Sequence, residues 1–117
     1  MTFFDAAGAA VAYTDDDTHI FSFNGQPLGY ISGPNVYAFD GGHLGTFGDG
    51  WLRDHAGGAA LFTDRASGGP VLPVRGVEPV RGVKAVMPVR GVQAVPPVPA
   101  VRSLGWSAAP NLRYFRR

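Results

Sequence analysis

The chain has no cysteine among its 117 residues, which excludes a disulfide framework or a thiolate metal centre as the support for a weak core. No run approaches the roughly 18 consecutive apolar residues of a membrane span. The start, Met1-Thr2-Phe3-Phe4-Asp5, lacks the basic n-region of a secretory signal and puts a carboxylate where apolar residues should run. The expectation is therefore cytoplasm, a phage particle or export by a signal-independent route. Net charge is small as well, +1. Glycine and proline are plentiful, at 17 and 10 residues, and both disfavour long helices. The length allows one compact domain, or a smaller domain with an appendage.

The near-neutral total conceals a division. Residues 1–63 hold seven carboxylates (Asp5, Asp15, Asp16, Asp17, Asp40, Asp49 and Asp54) and one base, Arg53, whereas residues 64–117 hold nine bases and two acids. Eight of the ten prolines lie in the second part and eleven of the fourteen aromatics in the first. An acidic aromatic head thus precedes a basic Pro/Val tail, an asymmetry that signals interaction without naming the partner.

The head repeats. Ile20-Phe21-Ser22-Phe23-Asn24-Gly25-Gln26-Pro27-Leu28-Gly29-Tyr30-Ile31 returns sixteen positions later as Val36-Tyr37-Ala38-Phe39-Asp40-Gly41-Gly42-His43-Leu44-Gly45-Thr46-Phe47. Each unit alternates, reaches Asn-Gly or Asp-Gly, and alternates again, which predicts a hairpin closed by a type I′ turn. Weaker copies run from Phe3 to Tyr13 and from Trp51 to Phe62. Four short hairpins, each marginal alone, must pool their apolar faces in radial or barrel-like packing. Phe21, Phe23, Leu28, Tyr37, Phe39, Leu44 and Trp51 are the expected core, and Gly29 and Gly45 the expected sites of close approach by a ring or backbone.

The Phe23-Asn24-Gly25…Leu28-Gly29-Tyr30 and Phe39-Asp40-Gly41-Gly42-His43-Leu44-Gly45 units, the Asp49-Gly50-Trp51-Leu52-Arg53-Asp54 run and the ending Ser103-Leu104-Gly105-Trp106-Ser107 resemble the bacterial four-fold beta flower domain family. The resemblance covers essentially residues 2–63, and a repetitive tail before Ser103 is also familiar in some members. It implies four hairpin units around a pseudo-four-fold axis. It implies no activity that can be carried over residue by residue.

The tail has a period of three. An aliphatic residue recurs at Val71, Val74, Val77, Val80, Val83, Val86, Val89, Val92, Val95, Val98, Val101 and Leu104, always preceded by Pro, Gly, Ala or Ser. The third slot is mostly long or charged, as at Arg75, Glu78, Arg81, Lys84, Arg90 and Arg102. An α-helix would rotate this stripe away and a strand would split it between faces. Polyproline II, with three residues per turn, keeps it on one edge. Thirty-six residues at about 3.1 Å each give a rod of roughly 110 Å whose valine edge needs a cover. Collagen is excluded, because only three of the twelve small slots hold Gly.

These readings predict an all-β head over 1–63, a linker over 64–70, an extended tail over 71–105 and a basic-aromatic C-terminus over 106–117. The expected role is a non-catalytic structural protein that self-assembles through the valine stripe into a homo-oligomer or filament. Arg75, Arg81, Lys84, Arg90 and Arg102 on one copy would be attracted to Asp15, Asp16 and Asp17 on another. The alternative is an adaptor whose basic Pro-rich tail meets an acidic partner: an SH3-type domain, nucleic acid or an anionic surface. Pro70-Val71-Leu72-Pro73 is a minimal PxxP for an SH3-type domain, and Trp106, Tyr114, Phe115, Arg116 and Arg117 form a candidate docking cluster for an anionic surface. The lack of aromatic platforms between Val71 and Val101 weakens single-strand binding, so nucleic acid is the less expected of these partners. His19, His43 and His55 have no ligand spacing, Asp15-Asp16-Asp17 lacks the remaining ligands of a calcium loop, and no catalytic trio is identifiable. No cofactor, metal, catalytic residue or small-molecule substrate is expected.

Overall fold

In the computed structural model, which describes residues 1–116, the head is a closed eight-stranded antiparallel barrel. Its strands are β1 (Thr2–Phe4), β2 (Ala10–Tyr13), β3 (His19–Ser22), β4 (Pro27–Ser32), β5 (Asn35–Tyr37), β6 (His43–Gly48), β7 (Trp51–Arg53) and β8 (Ala59–Phe62). Consecutive strands pair, and β1 closes on β8 through Phe4 and Phe62. The four hairpins read from the sequence are all present, and closure removes the edges that a row of short hairpins would expose.

The hairpin turns are not type I′. Among the described residues, Asp17 and Asp49 are the ones outside glycine with positive φ, so Asn24 and Asp40 do not adopt the conformation that turn requires. Each hairpin instead has a three-residue loop ending in a left-handed glycine. Gly25 donates to the Ser22 carbonyl while Ser22 donates to that of Gln26, and Gly41 and Ala38 repeat the pattern one hairpin on. A glycine in the third loop position supplies the positive φ, +91° and +96° respectively, of a bulged three-residue loop. The type I′ signature falls in a linker, at Asp49-Gly50, with both φ values positive and Gly48 paired to Trp51.

Inside the barrel, one residue from the first strand of each hairpin meets at the centre: Phe3, Ile20, Val36 and Leu52. Their cross-strand partners are Ala12, Gly29, Gly45 and Leu61. Hairpins two and three therefore leave room, and the C-terminal 3-10 turn, Leu112–Phe115, fills it. Phe115 lies over Gly29, Tyr114 over Gly45, and the Tyr114 hydroxyl donates to the Arg53 carbonyl at 2.9 Å. Burial pushes the Tyr114 phenol well above its ordinary pKa.

The expected single core needs correction. Leu44 joins the central cluster, with Leu28 half-buried against it. Phe21, Phe23 and Trp51 belong to a second cluster, and Tyr37 and Phe39 to a third. Consecutive strand residues face opposite ways, so these aromatics occupy the outer face of a barrel only a few residues deep.

The tail covers that face. The chain measures 36 × 35 × 21 Å, too compact for a straight rod of the tail's length. A segment with a reach of roughly 110 Å has the length for one circuit of such a body. Residues 71–105 form no strand or helix. They run as a strap across the four hairpin turns in order, with the carbonyls of Val74, Val83, Val92 and Val101 against Gly8, Gly25, Gly41 and Gly57. The physical reason is that each loop presents carbonyls without partners in the barrel ladder, and a buried backbone acceptor needs a donor.

Candidate functional site: the strap, its exposed edge and the grooves beneath it

The strap's backbone donors to the head all come from one of its three sequence slots. Gly76, Gly82, Ala85, Gly91, Ala94 and Ser103 donate backbone N–H groups to the carbonyls of Gly8, Phe23, Gly25, Phe39, Gly41 and Gly57, at 2.6–3.0 Å. All six are small-slot residues. The prolines of that slot at 70, 79, 88 and 97 recur every nine residues, at a position that makes none of these bonds and needs no N–H. The period of three thus contains a period of nine, one nonapeptide for each hairpin.

The charged slot lies on the same body. Arg81 sits 3.9 Å from the Tyr13 ring centroid, Arg90 3.9 Å from that of Tyr30, Lys84 4.9 Å from that of Phe21 and Arg75 5.8 Å from that of Phe4. Such contacts contribute about 0.5–1 kcal/mol each at exposed positions. Arg81 and Lys84 also bind the Asp15 carboxylate, at 2.6 and 2.8 Å, and hold its pKa below the ordinary value, Lys84 foremost. Arg102 pairs with Asp49. Asp16 turns to His19, its main cause of a lowered pKa, and His19 accepts from Arg90 at 2.6 Å. Asp17 is an exposed left-handed turn residue. The attraction expected between copies is therefore found within one chain for Arg81, Lys84 and Arg102.

The valine slot makes no comparable contact. Val71 through Val101 are 89–95% exposed and Leu104 is 74% exposed. The head therefore leaves a row of eleven apolar side chains uncovered.

The C-terminal cluster is dispersed. Tyr114 and Phe115 are buried in the barrel, Trp106 packs edge-on against Trp51 and Phe62, Arg116 is exposed, and Arg117 lies outside the described residues. His43 and His55 meet, Nδ1 to Nε2 at 2.9 Å, with Asn35 Oδ1 on the other His43 nitrogen. Their separate hairpins hid this from any spacing rule, although aligning the hairpin copies would have put both residues near one groove. Burial first, and His55 second, lower the His43 pKa. Among the described residues no three His, Asp or Glu gather to hold a metal, and no helix is long and apolar enough to cross a membrane.

Compared with known proteins, residues 1–115 match the family described as 4-fold beta flower protein. The match runs beyond the barrel through the strap and the C-terminal plug. No curated protein and no solved structure matches the chain.

Proposed function

We propose, for a chain that belongs to the 4-fold beta flower family, a non-catalytic structural role in which copies associate through the valine edge of the strap. The observation that carries this reading is the exposure of eleven valines along a segment whose other two slots are engaged by the head. A strap in polyproline II form would space its valines about 9 Å apart. A second identical row could then set its side chains into those gaps, which makes another copy of this chain the best-matched occupant. Fully burying a valine contributes about 1.5 kcal/mol, so even half of one row offers several kcal/mol toward association. Because the strap visits all four hairpins, a contact on one side leaves others free, and repetition of a heterologous contact gives rings or filaments.

Binding of an acidic partner by the strap's bases is the weaker reading, since Arg81, Lys84 and Arg102 already have carboxylates of their own. Electron microscopy of the concentrated protein, at low salt and at several hundred millimolar salt, tests the assembly. Rings, filaments or small closed particles that persist in salt support a valine-driven contact, because screening weakens exposed ion pairs and leaves apolar contacts in place. Dispersed single particles at both salt concentrations would overturn it.

A further inference from the structure

Each of the four grooves between neighbouring hairpins is built on one cross-strand pair. Three pairs are stacked aromatics: Phe4 with Phe62, Tyr13 with Phe21, and Tyr30 with Tyr37, at centroid separations of 5.3, 6.2 and 5.6 Å. The fourth, between β6 and β7, sets Thr46 opposite Arg53. The strap above it also differs from the strap above the Tyr13 and Tyr30 grooves. Arg81 and Arg90 cover Tyr13 and Tyr30, while nine residues beyond Arg90 stands Pro99, which carries no charge. The next position along the hairpin changes as well, since the place of Phe23 and Phe39 is taken by His55.

These exchanges leave a cavity of about 140 Å³ whose lining includes His43, Phe47, Arg53, His55, Pro97 and Pro99. Arg53 is 3% exposed. One of its terminal nitrogens donates to the carbonyls of Gly57 and Ser103, both at 2.7 Å, and the other to Gly68 at 3.4 Å. Its Nε finds no partner, and no carboxylate pairs with it among the described residues. Nearby acids are committed elsewhere. Asp54, which also lines the cavity, accepts from Ala56, Gly58 and Ser107, and Asp49 is paired with Arg102, a second cation of the lining. A buried guanidinium without a counter-charge is costly, and an anion beside it would relieve that cost through charge-assisted hydrogen bonds.

We propose that the groove between the third and fourth hairpins binds a small organic carboxylate, its charge beside Arg53 and the histidine pair and its apolar part against Phe47, Pro97 and Pro99. The size fits an acid of four to six heavy atoms, since a cavity of about 150 Å³ admits benzene. The apolar wall favours a carboxylate with a hydrocarbon body over a bare oxyanion. This site is independent of the valine edge and stands whether or not copies associate.

The test is titration of the full chain with butyrate, with n-butylammonium and inorganic phosphate at matched ionic strength, followed by NMR of the His43 and His55 ring protons. Butyrate should give saturable shifts at both histidines, n-butylammonium none, and phosphate binding at least tenfold weaker. The double variant Thr46→Tyr/Pro99→Arg installs the tyrosine and arginine found at the second and third hairpins' grooves. It should weaken butyrate binding by more than tenfold while the amide spectrum of the other three hairpins stays unchanged. Absence of a saturable shift with butyrate, equal binding of phosphate, or undiminished binding by the double variant would each overturn the proposal.

Discussion

The barrel and the strap are each repetitive, yet they are held by different forces. The barrel has a closed hydrogen-bond ladder and a central cluster of large side chains, Phe3, Ile20, Val36 and Leu52, all fully buried. The strap buries almost no side chain of its own and holds through six backbone donors, a few cations on rings and the ion pairs of Arg81 and Lys84 with Asp15 and of Arg102 with Asp49. An element without internal hydrogen bonds depends on the surface it lies on, and it is the part expected to open first. The difference shows what the small residues of the tail are for: they bring its backbone against the hairpin turns and leave the valines outside.

Variants that separate the two regions should rank accordingly. The largest effect belongs to the barrel. Tyr114→Ala or Phe115→Ala removes a ring from the gap above Gly45 or Gly29 and should cost about 3–5 kcal/mol, read as a lower urea midpoint for the whole chain. A loss below 1 kcal/mol would mean that the ring does not plug the barrel.

Gly25→Ala acts on both regions. It forces a side chain into a left-handed turn and against the Val83 carbonyl, at a cost of about 1–3 kcal/mol. Because the strap must lift, cleavage by trypsin after Arg81 and Lys84 should accelerate more than global stability falls.

Smaller still are changes within the strap. Ala85→Pro or Ala94→Pro deletes a donor to Gly25 or Gly41 and should cost about 1 kcal/mol in thermal unfolding. Pro88→Ala, one slot before Gly91 in the same small-residue series, should stay within about 0.5 kcal/mol. Equal effects at these positions would contradict the nine-residue division of labour.

The mildest prediction concerns acid. The Asp15 carboxyl is held below its usual pKa by Lys84 and Arg81, and Asp16 by His19. Their contributions are present above the unfolded value of 3.8 and fade as pH falls below it, because the unfolded chain then binds more protons. Amide shifts of Lys84 and Ala85 should therefore move toward a released strap at acid pH before the barrel amides respond. Asp15→Asn should flatten that dependence.

Much of this molecule is legible in the sequence. The sixteen-residue recurrence of Asn24-Gly25 and Asp40-Gly41 marks the hairpins, and Gly29 and Gly45 mark where a ring or backbone approaches closely. The sequence does not say that the ring comes from the far end of the chain, because Tyr114 and Phe115 beside arginines read equally as a surface cluster. The turn type is misread because Asn-Gly and Asp-Gly suit two loop geometries, and only φ at the first residue distinguishes them. In the tail the period of three is plain, while the nine-residue recurrence of Pro70, Pro79, Pro88 and Pro97, the sign that the segment is measured against four hairpins, is easily lost within it. The unlike groove was open to the same reading, since aligning the copies sets Thr46 against Tyr13 and Tyr30, and Arg53 against Phe21 and Tyr37.

The central claim, that the strap holds the head through its small and charged slots and offers the valine edge to other copies, is tested most directly by sedimentation velocity. The wild-type chain would be run across a hundredfold range of concentration beside a variant with Val80, Val83, Val86, Val89 and Val92 changed to serine. These side chains are almost fully exposed, so the variant should keep its thermal midpoint within a few degrees. The account predicts a sedimentation coefficient that rises with concentration for the wild type and stays at the monomer value for the variant. A wild type that sediments as a monomer throughout, or a variant that associates as strongly, would contradict it.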